Sequence, residues 1–129
     1  MLSNRPVIAV LPVLDLERSK RFYEDKLGLH EATNQTTTEE GCLLEAGGGT
    51  CVAIERFDDP SPGIHTAVSF EVDDIDSEVT DLEERGVAFE DYDLPELQTV
   101  NHIAEHEGSK AAWFKDPDGN ILCIHQRAA

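Results

Sequence analysis

The sequence predicts an α+β fold of two βαβββ modules joined in one curved mixed sheet, and three observations carry that prediction. A short pattern occurs twice: Val13-Leu14-Asp15-Leu16-Glu17 and Val72-Asp73-Asp74-Ile75-Asp76 each end an apolar run and open a helical periodicity. Asp15 and Asp74 lie 59 positions apart in a chain of 129 residues. Three strand-like runs follow each copy. Glycines close both helices, Gly28 the first and Gly86 the second. Module 1 takes about residues 5–58 and module 2 about 64–127 of a single domain, 1–129.

In module 1 a strand from Val7 to Leu11 leads to a helix that Asp15 caps, where Glu17 suits the positive N-terminal end. Leu16, Phe22, Tyr23 and Leu27 supply its buried stripe. Strands then read from Leu29 to Ala32, Cys42 to Ala46 and Cys51 to Phe57, the last two joined through Gly47-Gly48-Gly49. In module 2 the strand from Thr66 to Val72 precedes a helix capped by Asp74, with Ile75, Val79 and Leu82 on its buried stripe. Strands follow from Val87 to Tyr92, Ala111 to Lys115 and Ile121 to Gln126. A long loop, Asp93 to Ser109, precedes the last two, which Asp116-Pro117-Asp118-Gly119 connects.

Strand alternation separates the two faces of the sheet. Val52, Ile54, Val68, Phe70, Val72, Leu122 and Ile124 are expected against the helices. The opposite face then receives Cys51, Ala53, Glu55 and Phe57 from one strand, His65, Ala67, Ser69 and Glu71 from another, and Ile121, Cys123 and His125 from the last. With both helices on one side, that open face is free to line a cavity.

Composition narrows the class of partner. Ten Lys and Arg stand against 27 Asp and Glu, a formal net charge of −17. Phosphate backbones and anionic membranes are bound through clustered basic residues, which this chain lacks, so neither nucleic acid nor membrane is expected. So much acid reads as a solvated surface, as in a salt-adapted protein, and predicts instability at low ionic strength. Cys42, Cys51 and Cys123 form no CxxC, and no stretch has the layout of a signal peptide. The run Val7 to Leu14 is too short to span a bilayer and contains Pro12. The expectation is a reduced, cytoplasmic protein, in which Asn34-Gln35-Thr36 matches the glycosylation sequon by spelling alone.

The chain resembles the vicinal oxygen chelate superfamily, the glyoxalase, bleomycin-resistance and extradiol-dioxygenase fold. The resemblance rests on Asp15-Leu16-Glu17-Arg18-Ser19, Phe22-Tyr23 and Leu27-Gly28 in module 1. In module 2 it rests on Phe70-Glu71-Val72-Asp73-Asp74-Ile75, Arg85-Gly86-Val87 and Trp113-Phe114-Lys115-Asp116-Pro117-Asp118-Gly119-Asn120. It implies a glyoxalase-like fold, a homodimer, and a divalent metal held by the first and last strands of each module. Such an ion polarises adjacent substrate oxygens while a carboxylate moves a proton. The implied ligand positions fall on Ile8, Glu55, Ala67 and Cys123, of which only Glu55 keeps the ligand type of the family's metal-dependent glyoxalases. A shifted set, Glu55, His65, Cys123 and His125, is the alternative, suited to zinc, nickel, manganese or iron. It requires each imidazole to act from about 6 to 7 Å along its strand.

Other features read structurally. His102-Ile103-Ala104-Glu105-His106 spells the HxxEH of inverted zinc peptidases but lies in the long loop after Pro95, where a turn or lid is the plainer reading. The triple glycine lies between strands and is a turn rather than a phosphate loop. Cys123 reads as a buried thiol rather than a nucleophile paired with His125 or His65. Trp113, Phe57 and Tyr92 are the aromatic candidates for a cavity wall. The loops from Asn34 to Gly41 and from Asp93 to Ser109 are the expected specificity elements.

The leading expectation is a cavity lined by Glu55, His65, Ser69, Trp113, Cys123 and His125 that binds a small organic molecule, preferably cationic, without a cofactor. The alternative is a glyoxalase-like lyase or isomerase, or a dioxygenase, using a divalent metal at the shifted site with Glu55 as the catalytic carboxylate.

Overall fold

The computed structural model describes residues 1–33 and 37–129. The sequon spelling at Asn34–Thr36 and the start of the first specificity loop lie outside the described residues. The chain divides into two compact units, Met1–Pro62 and Gly63–Ala129. Each is a βαβββ module of the α+β class.

In the first unit, β1 (Ile8–Val13) leads to α1 (Leu16–Arg21), which continues as a single π-helical stretch over Phe22–Lys26. β2 (His30–Glu31), β3 (Gly41–Glu45) and β4 (Cys51–Arg56) complete it. The sheet order is β1-β4-β3-β2, with β1 parallel to β4 and the other pairs antiparallel. The first strand runs two residues further than the apolar run predicts, through Pro12. A proline fits there because β1 ends the sheet order among the described residues, and an edge strand tolerates a residue without an N–H. Asp15 caps α1 by accepting from the Arg18 amide at 3.1 Å. Leu16 and Tyr23 bury themselves with Leu11, Val13, Leu44, Val52 and Ile54.

The second unit repeats the plan. β5 (Thr66–Glu71) leads to α2 (Ile75–Glu84), followed by β6 (Phe89–Glu90), β10 (Ser109–Lys115) and β11 (Ile121–Gln126). The order β5-β11-β10-β6 is again first, fourth, third, second, with the first strand parallel to the fourth. Asp74 caps α2 with 2.9 and 3.3 Å bonds from the Ser77 hydroxyl and amide, which hold its carboxyl below the usual aspartate range. Gln126, on β11, accepts the Ile75 amide at 2.8 Å and ties the helix start to the sheet. Ile75, Val79 and Leu82 meet Ala112, Phe114, Leu122 and Ile124 in the core.

The stretch expected as one loop, Asp93 to Ser109, is more ordered than its composition implied. It holds the hairpin β7 (Asp93–Leu94) and β8 (Leu97–Gln98), a bridge between Val100 and Ile103, and β9 (Ala104–His106), which extends the sheet beside β10. Such short strands carry too few residues to show alternation. Among the described residues, no helix is long and apolar enough to cross a membrane.

Candidate functional site

In the first unit the open face is built by alternation along β4. Val52 and Ile54 turn toward the core, so Cys51, Ala53 and Glu55 occupy the other face. Register sets Glu55 beside Gly41 and Pro12, and Ala53 beside Leu43 and Val10. A groove of about 480 Å³ lies there, with Leu43, Ala53 and Phe57 as apolar lining and Glu55 among its carboxylates. Gly41 lies close to β4: a Cβ on it would sit 3.2 Å from the Ile54 carbonyl, tighter than ordinary contact, and 3.5 Å from Glu55 Cγ. Arg56, the groove's cation, is taken by Asp58 at 2.7 Å and Glu40 at 3.8 Å. Glu55 has no hydrogen-bond or ion-pair partner among the described residues.

In the second unit, a bulge decides which side chains share the open face. Ile121 pairs with Thr66 but Leu122 pairs with Val68, so Ala67 is an extra residue on β5. Beyond the bulge, register places Ser69, Cys123 and Trp113 in one row across β5, β11 and β10, with Glu71, His125 and Ala111 in another. Before it, the parity of β5 inverts. Thr66 joins the open face, where its hydroxyl accepts the Trp113 indole N–H at 3.1 Å.

That inversion corrects the alternation argument for His65. The residue lies outside β5, one position before Thr66, and its ring turns back toward Gly63, 3.4 Å from where a Cβ on that glycine would be. Strand parity therefore does not bring it to Ser69 and Cys123. Ala67, an implied ligand position, is the bulge residue itself.

Four of the expected residues, Ser69, Trp113, Cys123 and His125, share the open face of the second sheet; Glu55 belongs to the first sheet. Cys123 is 5% exposed, and burial pushes its thiol above the ordinary range against the opposing hydrogen bond from Ser69. The thiol donates to the Ile124 carbonyl at 3.4 Å. Trp113 packs edge to face on Tyr92, with centroids 5.6 Å apart at 87°. His125 Nδ1 stands 2.9 Å from each carboxylate oxygen of Glu71. Glu71 is the residue that sequence reasoning left out of the site. Its face was readable from alternation, but its rung opposite His125 depends on the bulge.

The HxxEH spelling is not a helix. His102 sits in a turn at φ 73° with Nδ1 2.8 Å from Asp91 and Nε2 3.3 Å from Glu83, and it stacks on Phe89. His106 is on β9 and exposed. Among the described residues, no three His, Cys, Asp or Glu side chains gather as a metal-binding group.

The model of the Glyoxalase/Bleomycin resistance protein/Dioxygenase superfamily matches residues 5–124. The chain belongs to this superfamily. Among solved structures it is similar to TnmS3, an antibiotic binding protein from Streptomyces sp. CB03234, at 25% identity, with 99% of each chain covered and a TM-score of 0.75. It is also similar to a glyoxalase/bleomycin resistance protein from the same Streptomyces strain, at 26% identity over 94% of this chain and 99% of that one, TM-score 0.69. A glyoxalase/bleomycin resistance protein/dioxygenase from Alicyclobacillus acidocaldarius shares the fold at 19% identity, covering 95% and 91%, TM-score 0.71. No curated protein matches in sequence.

The metal that this superfamily's resemblance implies does not fit the side chains at its positions. Ile8 and Ala67 have no donor atom, and Cys123 is a buried thiol held in its protonated form. Glu55 alone cannot fix a divalent ion.

Proposed function

We propose that this member of the superfamily binds a small organic molecule without a metal ion, and that Glu55 holds a positive charge on the ligand. The observation that carries the reading is the unpartnered Glu55 carboxylate in a groove of about 480 Å³ with Leu43, Ala53 and Phe57 in its lining. A carboxylate at an apolar surface recognises a cation, and apolar walls supply the contact area. The acid excess supports it, because a net charge of −17 raises the local concentration of cations. The second unit, taken by itself, is proposed to contact ligand through the open face that Ser69, Trp113, Cys123 and His125 share. TnmS3's description as an antibiotic binding protein supports an antibiotic-like ligand class. The protein is proposed to be cytoplasmic and to work as a homodimer, and sedimentation of the purified chain tests the dimer.

The test uses chelator-treated protein and equilibrium titration with amine-bearing antibiotics and their N-acetylated, neutral counterparts. Metal-free protein is expected to bind, with Glu55→Gln weakening the cationic compound and leaving the neutral one unchanged. Binding that appears only after zinc, nickel, manganese or iron is added, and is lost in a His65→Ala, His125→Ala double variant, would establish the shifted metal site instead.

A further inference from the structure

We infer that the open face of the second sheet is a subsite for aromatic ligands that carry a free hydroxyl, with His125 Nε2 as the acceptor of that hydroxyl and Glu71 as its positioning residue. The inference rests on the ligand-binding reading and names the chemistry this face selects.

The tautomer follows from the contacts. A carboxylate only accepts, so the imidazole nitrogen 2.9 Å from both Glu71 oxygens carries the proton, and in neutral imidazole the other nitrogen presents a lone pair. The Nε2 of His125 has no partner among the described residues, and the side chain is 31% exposed. Arg127 Nε lies 3.7 Å from Glu71, a second donor beside the same carboxylate.

The surroundings define the rest of the ligand. Trp113 stands opposite Cys123, and its indole reaches across β11 to Thr66, on the side away from His125. Opposite His125 itself stands Ala111, whose methyl takes up little of the room beside the imidazole. The indole N–H is already donated and Tyr92 packs edge to face with the ring, so the half-buried indole offers a ligand the ring surface that Tyr92 and β11 leave uncovered. An aromatic compound laid against that face, with a hydroxyl on the edge toward His125, fills apolar area and makes the hydrogen bond that Nε2 lacks.

The experiment compares 2-naphthol with 2-methoxynaphthalene at pH 8, where imidazole is ordinarily neutral. Trp113 is the chain's one tryptophan, so quenching of its fluorescence reports arrival at this face. The wild-type protein is expected to prefer the hydroxyl compound by roughly three- to tenfold. In His125→Phe the preference falls to about one while the ether still binds. Glu71→Ala frees the ring and is expected to lower the preference without removing ether binding, which also serves if the phenylalanine variant does not fold. Equal affinities in the wild type, or a preference that persists in His125→Phe, overturn the inference and leave the binding reading standing. If neither compound quenches Trp113, this face binds no aromatic ligand, and both this inference and its part of the binding reading fall.

Discussion

Trp113 and Thr66 are joined across an intervening strand: the indole on β10 donates to the hydroxyl on β5 at 3.1 Å, with β11 between them. Two strand spacings amount to about 9.5 Å, so the indole lies over β11 rather than standing away from the sheet. Cys123, opposite Trp113 on that strand, is 5% exposed. The contact exists because the bulge at Ala67 turns Thr66 to that face.

Replacing Thr66 with valine keeps the shape and removes the acceptor. The loss is expected to cost about 1 kcal/mol in urea unfolding, the usual worth of one such bond. Cys123 should also react faster with a disulfide reagent in the native state, since the indole above it is no longer tethered. Unchanged thiol reactivity in Thr66→Val would show that something other than the indole shields Cys123.

Burial raises the thiol pKa of both Cys42 and Cys123, and the consequence for stability has a definite sign. Below the ordinary thiol pKa of about 8.5, these groups are protonated in both folded and unfolded chains and impose no pH dependence. Above it the unfolded chain ionises while the folded one resists, so the unfolded state gains and stability falls as pH rises. The thiols should therefore contribute no slope across neutral pH and a decline in thermal midpoint above about pH 8.5, less steep in Cys123→Ala than in the wild type. A decline of equal slope in that variant would remove Cys123 as a contributor.

The repeated strand-helix plan was legible in the sequence because both copies announce themselves by local chemistry: Asp15 and Asp74 cap, and Gly28 and Gly86 terminate. Alternation along β4 and β11 also placed Glu55, Cys123 and His125 on the open faces. What could not be read was a single extra residue. Ala67 looks like any other member of an alternating strand, yet its insertion reverses the direction of everything before it, which moved Thr66 toward the site and His65 away from it. The Glu71 partnership with His125 was hidden for the same reason, since opposition between two strands depends on register. The strands at Asp93–Leu94, Leu97–Gln98 and Ala104–His106 escaped because pairs and triplets of residues carry no period.

The turn between β10 and β11 depends on one carboxylate. Asp116 is 5% exposed and accepts from the Asp118 amide, the Asn120 amide and the Asn120 side chain, at 2.9, 2.9 and 2.8 Å. Asp116→Ala strands these donors, two of which are buried, and is expected to destabilise the protein by about 3 kcal/mol in denaturant unfolding. Asp116→Asn keeps an acceptor oxygen and should lose less. If the alanine variant unfolds at the wild-type denaturant concentration, water replaces the carboxylate and the turn is held by its backbone bonds.

Salt should stabilise this protein through its surface. α2 presents Asp76, Glu78, Asp81, Glu83 and Glu84 within three turns, and the ion pair from Arg85 to Asp81 stretches to 3.6 Å between half-exposed side chains. Repulsion among such charges reaches about 30 Å at 0.01 M salt and about 3 Å at 1 M. The folded chain concentrates 27 acidic residues in a smaller volume than the unfolded one, so screening relieves the folded state more. The thermal midpoint is expected to climb steeply over the first few tenths molar of sodium chloride, and choline chloride should reproduce that climb because screening depends on ionic strength alone. A rise seen with sodium but not choline would instead indicate sodium bound at particular carboxylates, and no rise with either would mean that the acidic surface costs the fold nothing.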